Sequence, residues 1–289
     1  MVDRYLSRVE NYESISLLKQ ESQWEVSKHP TAVCAVNNII YLGTKDGYVF
    51  MYKDALYKER FCPTPSKVLG IESLPTTGII TLHESGTISH INQKKGILSH
   101  IDGFINGIIH KNNSWIISET DSGLSIFDYN KVSMYNTNNT NTSTNTSRKV
   151  FSISNENNYI LLCDSTVRLI DIRTMKEEIE IKNIKNIKAG IFHSSSIEMI
   201  ISQENRIKNI DIRNISVIKE IKTKYTASIL HEYSDTLIYS GPNLFTRCVC
   251  PVTGHSLFLH KESSCQIASS DSLILINSNR MITEYKKHK

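Results

Sequence analysis

The chain of 289 residues has few of the features that mark membrane, secreted or polyanion-binding proteins. No run approaches the roughly 18 consecutive apolar residues of a membrane helix. The first residues, MVDRYLSRVENYES, are charged throughout and contain no apolar segment like that of a secretory leader. The formal net charge is only +4, and aromatic residues make up 8% of the chain. We therefore expect an intracellular protein, cytoplasmic or nuclear, that does not enter a membrane.

Cysteine is scarce and scattered, which excludes a disulfide framework. Most of the six cysteines lie in apolar runs, and in an intracellular protein such residues are typically reduced core side chains. They are Cys34, Cys62, Cys163, Cys248, Cys250 and Cys265.

Motifs of common catalytic sites are also missing. The sequence has no glycine-rich phosphate loop, no HExxH and no GxSxG. Cys248 and Cys250 are two residues apart, and His255 and His260 follow nearby. Their spacing fits no closed tetrahedral zinc pattern, so buried cysteines with surface histidines are the favoured interpretation. We expect no enzyme activity, no cofactor, no metal and no small-molecule substrate.

A repeat organises the sequence. A small residue followed by an aliphatic one recurs at intervals of 35 to 45 residues, and in the last unit glutamine replaces the small residue. Each pair closes a short apolar run, and two or three further runs of four to six residues follow between Asp, Asn, Gly and Ser turns, as is typical of strands. The pairs are Ala35-Val36, Gly70-Ile71, Gly107-Ile108, Ser152-Ile153, Gly190-Ile191, Ser228-Ile229 and Gln266-Ile267.

Seven units of about 38 residues with four strands each predict an all-β fold, a single β-propeller of seven four-stranded blades. The last unit ends after its third strand, at MITEYKKHK. We expect the N-terminal run Ile15 to Gln20 to supply its fourth strand, with a solvated helix or a loose arm as the alternative for this segment. The predicted domains are an N-terminal arm at 1–14 and a propeller at 15–289.

The pattern resembles the WD-repeat family. An apolar residue followed by Asp ends the third strand in LSIFDY, RLIDIR and KNIDIR, at Asp128, Asp171 and Asp211. No unit has the tryptophan that precedes this aspartate in the family, and its Gly-His step is absent, so the resemblance is to a divergent member. A six-bladed propeller and a related propeller family are the alternatives.

The 45-residue interval contains the insertion NTNNTNTSTNTS at 136–147. It has no charge and almost no apolar residue, so we expect a disordered surface loop.

Acidic residues recur in the turns between the second and third predicted strands. Asp and Asn favour tight turns, which explains them without function, while an acidic rim for a basic peptide is the functional alternative. They are Asp46, Glu84, Asp121, Asp164 and Glu204.

Lysines cluster in two segments that are expected to link an outer strand to the next unit. Five lysines on adjacent loops are suited to RNA phosphates or an acidic protein segment, but no aromatic stacking platform or arginine fork accompanies them in the sequence. Ordinary surface solvation is the alternative. The lysines are Lys182, Lys185, Lys188, Lys222 and Lys224.

The step Asp-Ile-Arg occurs twice, at Asp171–Arg173 and Asp211–Arg213. It resembles the paired motif of WD-repeat substrate receptors of cullin-type ubiquitin ligases. That resemblance implies that Arg173 and Arg213 contact the ligase adaptor. Ile170 and Ile210, however, stand where that motif prefers tryptophan. Local pairing of Asp with Arg is the alternative.

These patterns favour a protein–protein interaction scaffold within a larger complex, because a propeller presents faces and loops on a rigid frame. An RNA-associated ribonucleoprotein component and a ubiquitin-ligase receptor are the alternative functions.

Overall fold

The computed structural model describes residues 18–73, 78–91, 96–100, 110–112, 115–120, 123–128, 133–136, 149–153, 159–163, 167–171, 173–174, 176–181, 184, 186–193 and 197–287. Within these ranges every regular element is a β-strand, and no helix occurs. This confirms the all-β prediction. No helix in the described part is therefore long and apolar enough to span a membrane.

The strands of the first half are short and separated by tight turns. They are β1 (Leu18–Glu25), β2 (Pro30–Val36), β3 (Ile39–Thr44), β4 (Val49–Lys53), β5 (Leu56–Phe61), β6 (Val68–Ser73), β7 (Ile79–His83), β8 (Thr87–Ile91), β9 (Gly96–His100), β10 (His110–Asn112), β11 (Trp115–Thr120), β12 (Gly123–Asp128), β13 (Ser133–Asn136) and β14 (Lys149–Ile153).

The second half continues the same pattern. Its strands are β15 (Tyr159–Cys163), β16 (Val167–Asp171), β17 (Lys176–Ile181), β18 (Ile187–Phe192), β19 (Glu198–Gln203), β20 (Arg206–Asp211), β21 (Ser216–Lys222), β22 (Ile229–Tyr233), β23 (Thr236–Gly241), β24 (Leu244–Val249), β25 (Ser256–His260), β26 (Ser264–Ser269), β27 (Leu273–Asn277) and β28 (Met281–Lys287).

The chain divides into two compact units. We call Ser27–Asp164 with Arg168–Glu180 the middle unit, and Met1–Val26, Ser165–Val167 and Ile181–Lys289 the terminal unit. Among described residues the middle unit holds the four-stranded sheets β2–β5, β6–β9, β10–β13 and, apart from Val167 and Ile181, β14–β17. The terminal unit holds the sheets β18–β21, β22–β25 and β26–β27–β28–β1.

The first strands of successive sheets adjoin one another inside each unit. In the middle unit β2 contacts β6 and β10 contacts β14, while in the terminal unit β18 contacts β22 and β22 contacts β26. Small antiparallel sheets that pack face to face through their first strands have a β-propeller arrangement. This arrangement confirms the coarse form of the fold prediction.

Burial falls from the second strand of a sheet to the fourth. Every residue of β7, β23 and β27 is buried, including polar residues such as Thr81, whereas β5 is exposed at all positions except Phe61. Each fully buried Ile or Leu of these strands contributes roughly 2–3 kcal/mol of hydrophobic free energy. The aliphatic second strands therefore account for much of the core.

Two sheets of the middle unit approach each other closely at a glycine. A Cβ on Gly43 of β3 would lie 2.5 Å from Cγ1 of Val68 in the neighbouring sheet. Val68 is fully buried and belongs to a cluster that joins these two sheets of the middle unit. Glycine at 43 is required by this close approach.

The N-terminal strand completes the last sheet, as the sequence predicted. β1 pairs antiparallel with β28, from Leu18 opposite Lys287 to Glu25 opposite Met281. Its bounds differ from the predicted 15–20, because the strand continues to Glu25, where Arg280 forms an ion pair of 2.6 Å. Residues 15–17 lie outside the described residues, as do the predicted arm at 1–14 and residues 137–147 of the predicted loop; Asn136 ends β13.

Candidate functional site

The acidic turn residues are held by local structure. Asp46 lies in the turn after β3, and its Oδ2 forms an ion pair with Nζ of Lys28 at a distance of 3.1 Å. Glu84 lies in the turn after β7, where its backbone amide donates to the carbonyl of Lys67 at 2.8 Å. Glu204 takes a left-handed φ of 50° in the two-residue turn between β19 and β20. Turn geometry thus accounts for these three, and Asp121 and Asp164 lie outside the described residues.

The lysine cluster is placed only in part. Lys222 ends β21 and Lys224 follows it in the loop, both exposed. Lys188 is also exposed, but it lies within β18 and not in a linker, because that strand already begins at Ile187. Lys182 and Lys185 lie outside the described residues.

Each Asp-Ile-Arg step forms the same local set of hydrogen bonds, between its own arginine and its own aspartate. The carboxylate of Asp171 accepts bonds from Nε and Nη2 of Arg173 at 3.1 and 2.6 Å, and from its backbone amide at 2.7 Å. In the second step, Asp211 receives the same three bonds from Arg213 at 3.0, 2.6 and 2.9 Å.

These bonds lower the pKa of both carboxyl groups below the ordinary aspartate value. Each arginine side chain is nevertheless 66% exposed. Each arginine therefore closes its own turn and still presents part of its guanidinium to solvent.

A basic pocket of about 240 Å³ lies in the terminal unit, where the end of β21 meets β23 and β24. Its cations are Lys222, Lys224 and Arg247, and its rings are Tyr239 and Phe245. The polar or aliphatic side chains of Thr223, Asn243 and Leu244 complete its lining. We call this set of eight residues the basic pocket.

The pocket keeps its cations available. Arg247 stands opposite Tyr239 in the β23–β24 register and forms a hydrogen bond with its side chain. Burial raises the pKa of Tyr239, which leaves a neutral hydroxyl beside the guanidinium. No described carboxylate forms an ion pair with Lys222, Lys224 or Arg247; the described ion pair on β21 joins Glu220 to Arg206.

Aromatic rings stand at the mouth of the basic pocket. Phe245 is 52% exposed, and Tyr225, next to the pocket, is 40% exposed. Nζ of Lys224 lies 5.3 Å from the centroid of the Tyr225 ring, within the range of a cation–π contact. Lys222 and Lys224 thus have an arginine and aromatic rings near them, which the sequence pattern did not indicate. Phe245 and Arg247 are two residues apart in LFTRCV and share a strand face, but their distance from the lysines depends on how two sheets pack.

A second surface, in the middle unit, is formed by β4 and β5. The ring centroids of Phe50 and Tyr57 are 6.2 Å apart, and those of Tyr52 and Tyr57 are 6.0 Å apart. Tyr48 lies 6.1 Å from Phe50 and carries the guanidinium carbon of Arg60 5.4 Å above its ring. We call these five residues with Leu56 the aromatic patch. Leu56 at the start of β5 is 61% exposed and Tyr57 is 53% exposed, so the hairpin end beside the rings has an open apolar edge.

The cysteines and histidines considered as zinc ligands lie in separate environments. Cys248 and Cys250 are buried; burial raises the pKa of the Cys248 thiol to about 11, and the thiol bonds with Thr236 at 3.2 Å. Nδ1 of His260 bonds with the Tyr285 hydroxyl at 2.8 Å, and His255 is exposed. Over the described ranges, no three His, Cys, Asp or Glu side chains converge in a way that would hold a metal ion. Among the cysteines with described side chains, Cys34 is buried like Cys248 and Cys250, as expected of core residues, whereas Cys62 and Cys265 are exposed.

Comparisons with known proteins do not place the chain in a family. No protein-family model matches the sequence, and no curated protein matches it significantly.

Proposed function

We propose that the chain is a divergent WD-repeat-like propeller, with its sheets closed into one ring of seven blades, that serves as a non-enzymatic protein–protein interaction scaffold in an intracellular complex. The four-stranded sheets, the completion of the last sheet by β1 and the two Asp-Ile-Arg steps support this proposal.

The aromatic patch is the observation that carries the proposal. Residues at the energetic centres of protein interfaces are enriched in Tyr, Phe and Arg, and the patch combines four such rings with Arg60. Leu56 and Tyr57 remain more than half exposed although an apolar side chain of this size gains about 2 kcal/mol on burial. A partner that covers the edge of the patch would gain that free energy.

Affinity purification of the full chain from cells tests the proposal. The variant Leu56→Ser/Tyr57→Ser removes the open apolar edge of the patch. Its matched control is Val217→Ser/Ile218→Ser, which changes two neighbouring side chains on the outer strand β21 that are 53% and 45% exposed. Each preparation is divided into nuclease-treated and untreated halves.

We expect protein partners that survive nuclease, remain in constant ratio with the control variant and are lost with the patch variant. Equal recovery of partners by both variants would remove the patch as the binding surface. Turnover of a substrate by the purified chain alone would overturn the scaffold proposal itself.

A further inference from the structure

We propose that the basic pocket binds single-stranded nucleic acid, with one phosphate among Lys222, Lys224 and Arg247 and one base against Phe245. This function goes beyond the protein scaffold and uses a different surface. The aromatic patch belongs to the middle unit, whereas every residue of the basic pocket belongs to the terminal unit.

The charges of the basic pocket favour a phosphate. Three cationic side chains line one cavity, and no described carboxylate neutralises them. A phosphate bound among cationic side chains is attracted by them and releases its own condensed counterions. The Tyr239 hydroxyl forms a hydrogen bond with the Arg247 side chain at the wall of the pocket.

The rings at the pocket favour a base. Phe245 projects from β24 with about half of its surface in solvent, two residues from Arg247 on the same strand face. Tyr225 stands beside Lys224 with its ring partly open. Stacking on an exposed ring next to cations is the way in which single-stranded nucleic acids are held without sequence preference.

The shape of the basic pocket discriminates between polyanions. A duplex presents stacked, paired bases that cannot reach Phe245, and it is read by an element that enters a groove. A cavity of about 240 Å³ instead accepts one group at a time. An acidic peptide would satisfy the cations but would leave Phe245 without a planar partner, so the ring favours a nucleotide over a carboxylate side chain.

Fluorescence anisotropy with the full chain at low salt tests the proposal. The probes are labelled twelve-nucleotide oligouridine and oligodeoxythymidine, with a duplex of equal length and a polyglutamate peptide as competitors. The variants are Lys222→Glu/Lys224→Glu, Phe245→Ala and Phe245→Tyr. The control is Lys188→Glu, because Lys188 is an exposed lysine of the same unit that does not line the pocket.

We expect both single strands to bind. Phe245→Ala should weaken binding about tenfold while Phe245→Tyr restores it, because stacking needs a ring and not the specific side chain. Lys222→Glu/Lys224→Glu should reduce the slope of log K against log salt by about 1.4, or 0.7 for each lost cation, and Lys188→Glu should leave the slope unchanged. A preference for one sugar would identify RNA or DNA as the source of the ligand.

Three results would overturn the proposal. They are duplex binding as tight as that of a single strand, displacement by polyglutamate at equal charge concentration, and equal loss of binding with Lys188→Glu. The scaffold proposal is separable from this one, because Leu56→Ser/Tyr57→Ser should leave oligonucleotide binding intact.

Discussion

The aromatic patch and the basic pocket contain the same residue types, yet they differ in how their rings and cations are used. In the patch the rings contact one another and Arg60 lies over Tyr48. In the pocket Phe245 is half exposed and three cations face a cavity. A surface suited to an apolar partner therefore results where Tyr, Phe and Arg side chains contact one another. Where they stand apart beside lysines, they make a surface suited to a planar anion.

The difference also concerns solvent. A protein that covers Leu56 and Tyr57 gains mainly by removing apolar area from water, which depends little on salt. A ligand of Lys222, Lys224 and Arg247 gains by displacing counterions, which depends steeply on salt. The two surfaces can therefore be separated experimentally even if one complex uses both.

The largest effect is expected from protonation of His231, which lowers the stability of the fold at acid pH. The two surfaces can therefore be compared only above the pH at which that stability is lost. The His231 imidazole lies on β22, in the sheet that carries the basic pocket, and its Nε2 bonds with Ser269 Oγ at 2.8 Å. Dense surroundings lower its pKa from 6.5 to about 4. Because the folded pKa is depressed, the stabilising contribution is complete above pH 6.5 and is lost as the pH falls toward 4. Up to about 3 kcal/mol of unfolding free energy is involved.

Urea unfolding between pH 7.5 and 4 measures this loss. His231→Gln keeps a hydrogen-bonding side chain opposite Ser269 but does not titrate, so its stability should fall less steeply over that range. Parallel curves for both proteins would mean that His231 is not the group responsible. Binding at the pocket should then be compared above pH 6.5 only.

The next largest effect is expected at the aromatic patch. Tyr57→Ala removes the ring that contacts both Phe50 and Tyr52, and truncation of such a central aromatic typically costs about 2 kcal/mol, or roughly 30-fold in Kd. Tyr57→Phe keeps the ring and should bind nearly as well as the natural protein. Calorimetry with the captured partner checks this order; equal losses for both variants would assign the effect to the hydroxyl and not to the ring.

A somewhat smaller effect is expected from salt. Three cations acting on a single strand give a slope near −2 in log K against log salt, so raising salt from about 50 to 200 mM should weaken oligonucleotide binding about 20-fold. Partner binding at the aromatic patch should change by less than about twofold over the same range, because apolar burial releases no counterions. Similar salt dependence at both surfaces would break the distinction drawn between them.

Repeat spacing was enough to predict the sheets, but it did not locate the register of the first strands. The pairs β2–β3, β6–β7, β14–β15 and β18–β19 each contain a register shift, after which come Ala32, Gly70, Ser152 and Ala189. In two of these units the sequence pattern placed the small residue of the repeat elsewhere, at Ala35 and Gly190. Ala32 and Gly70 are 38 residues apart, against 35 from Ala35, so the structural period is the more regular one. A bulge adds a residue without changing composition, and a pattern of small residues cannot show it.

The sequence could predict only those parts of the candidate site whose residues are close together in the chain. Lys222 and Lys224 were found because they are close in sequence, whereas Arg247 and Phe245 reach them only through the packing of β18–β21 on β22–β25. The aromatic patch was missed for a related reason. Tyr57 contacts Phe50 and Tyr52 across a bulged β4–β5 pair, and alternation along one strand does not reveal which ring faces it.

The smallest effect is expected at the two Asp-Ile-Arg steps, one in each unit. Arg173→Ala and Arg213→Ala each remove two side-chain bonds to an aspartate, but both arginines are two-thirds exposed, so the fall in Tm should be slight and similar in the two units. The bonds lower the pKa of Asp171 and Asp211, so their contribution is present above the unfolded aspartate pKa and disappears as the pH falls through the folded one. Melting curves from pH 7 down to acid pH should therefore show a difference between natural and variant proteins at pH 7 that narrows as the pH falls below the ordinary aspartate pKa. Loss of a captured partner by either variant, with Tm unchanged, would instead make these arginines contact residues, as the resemblance to ubiquitin-ligase receptors implies.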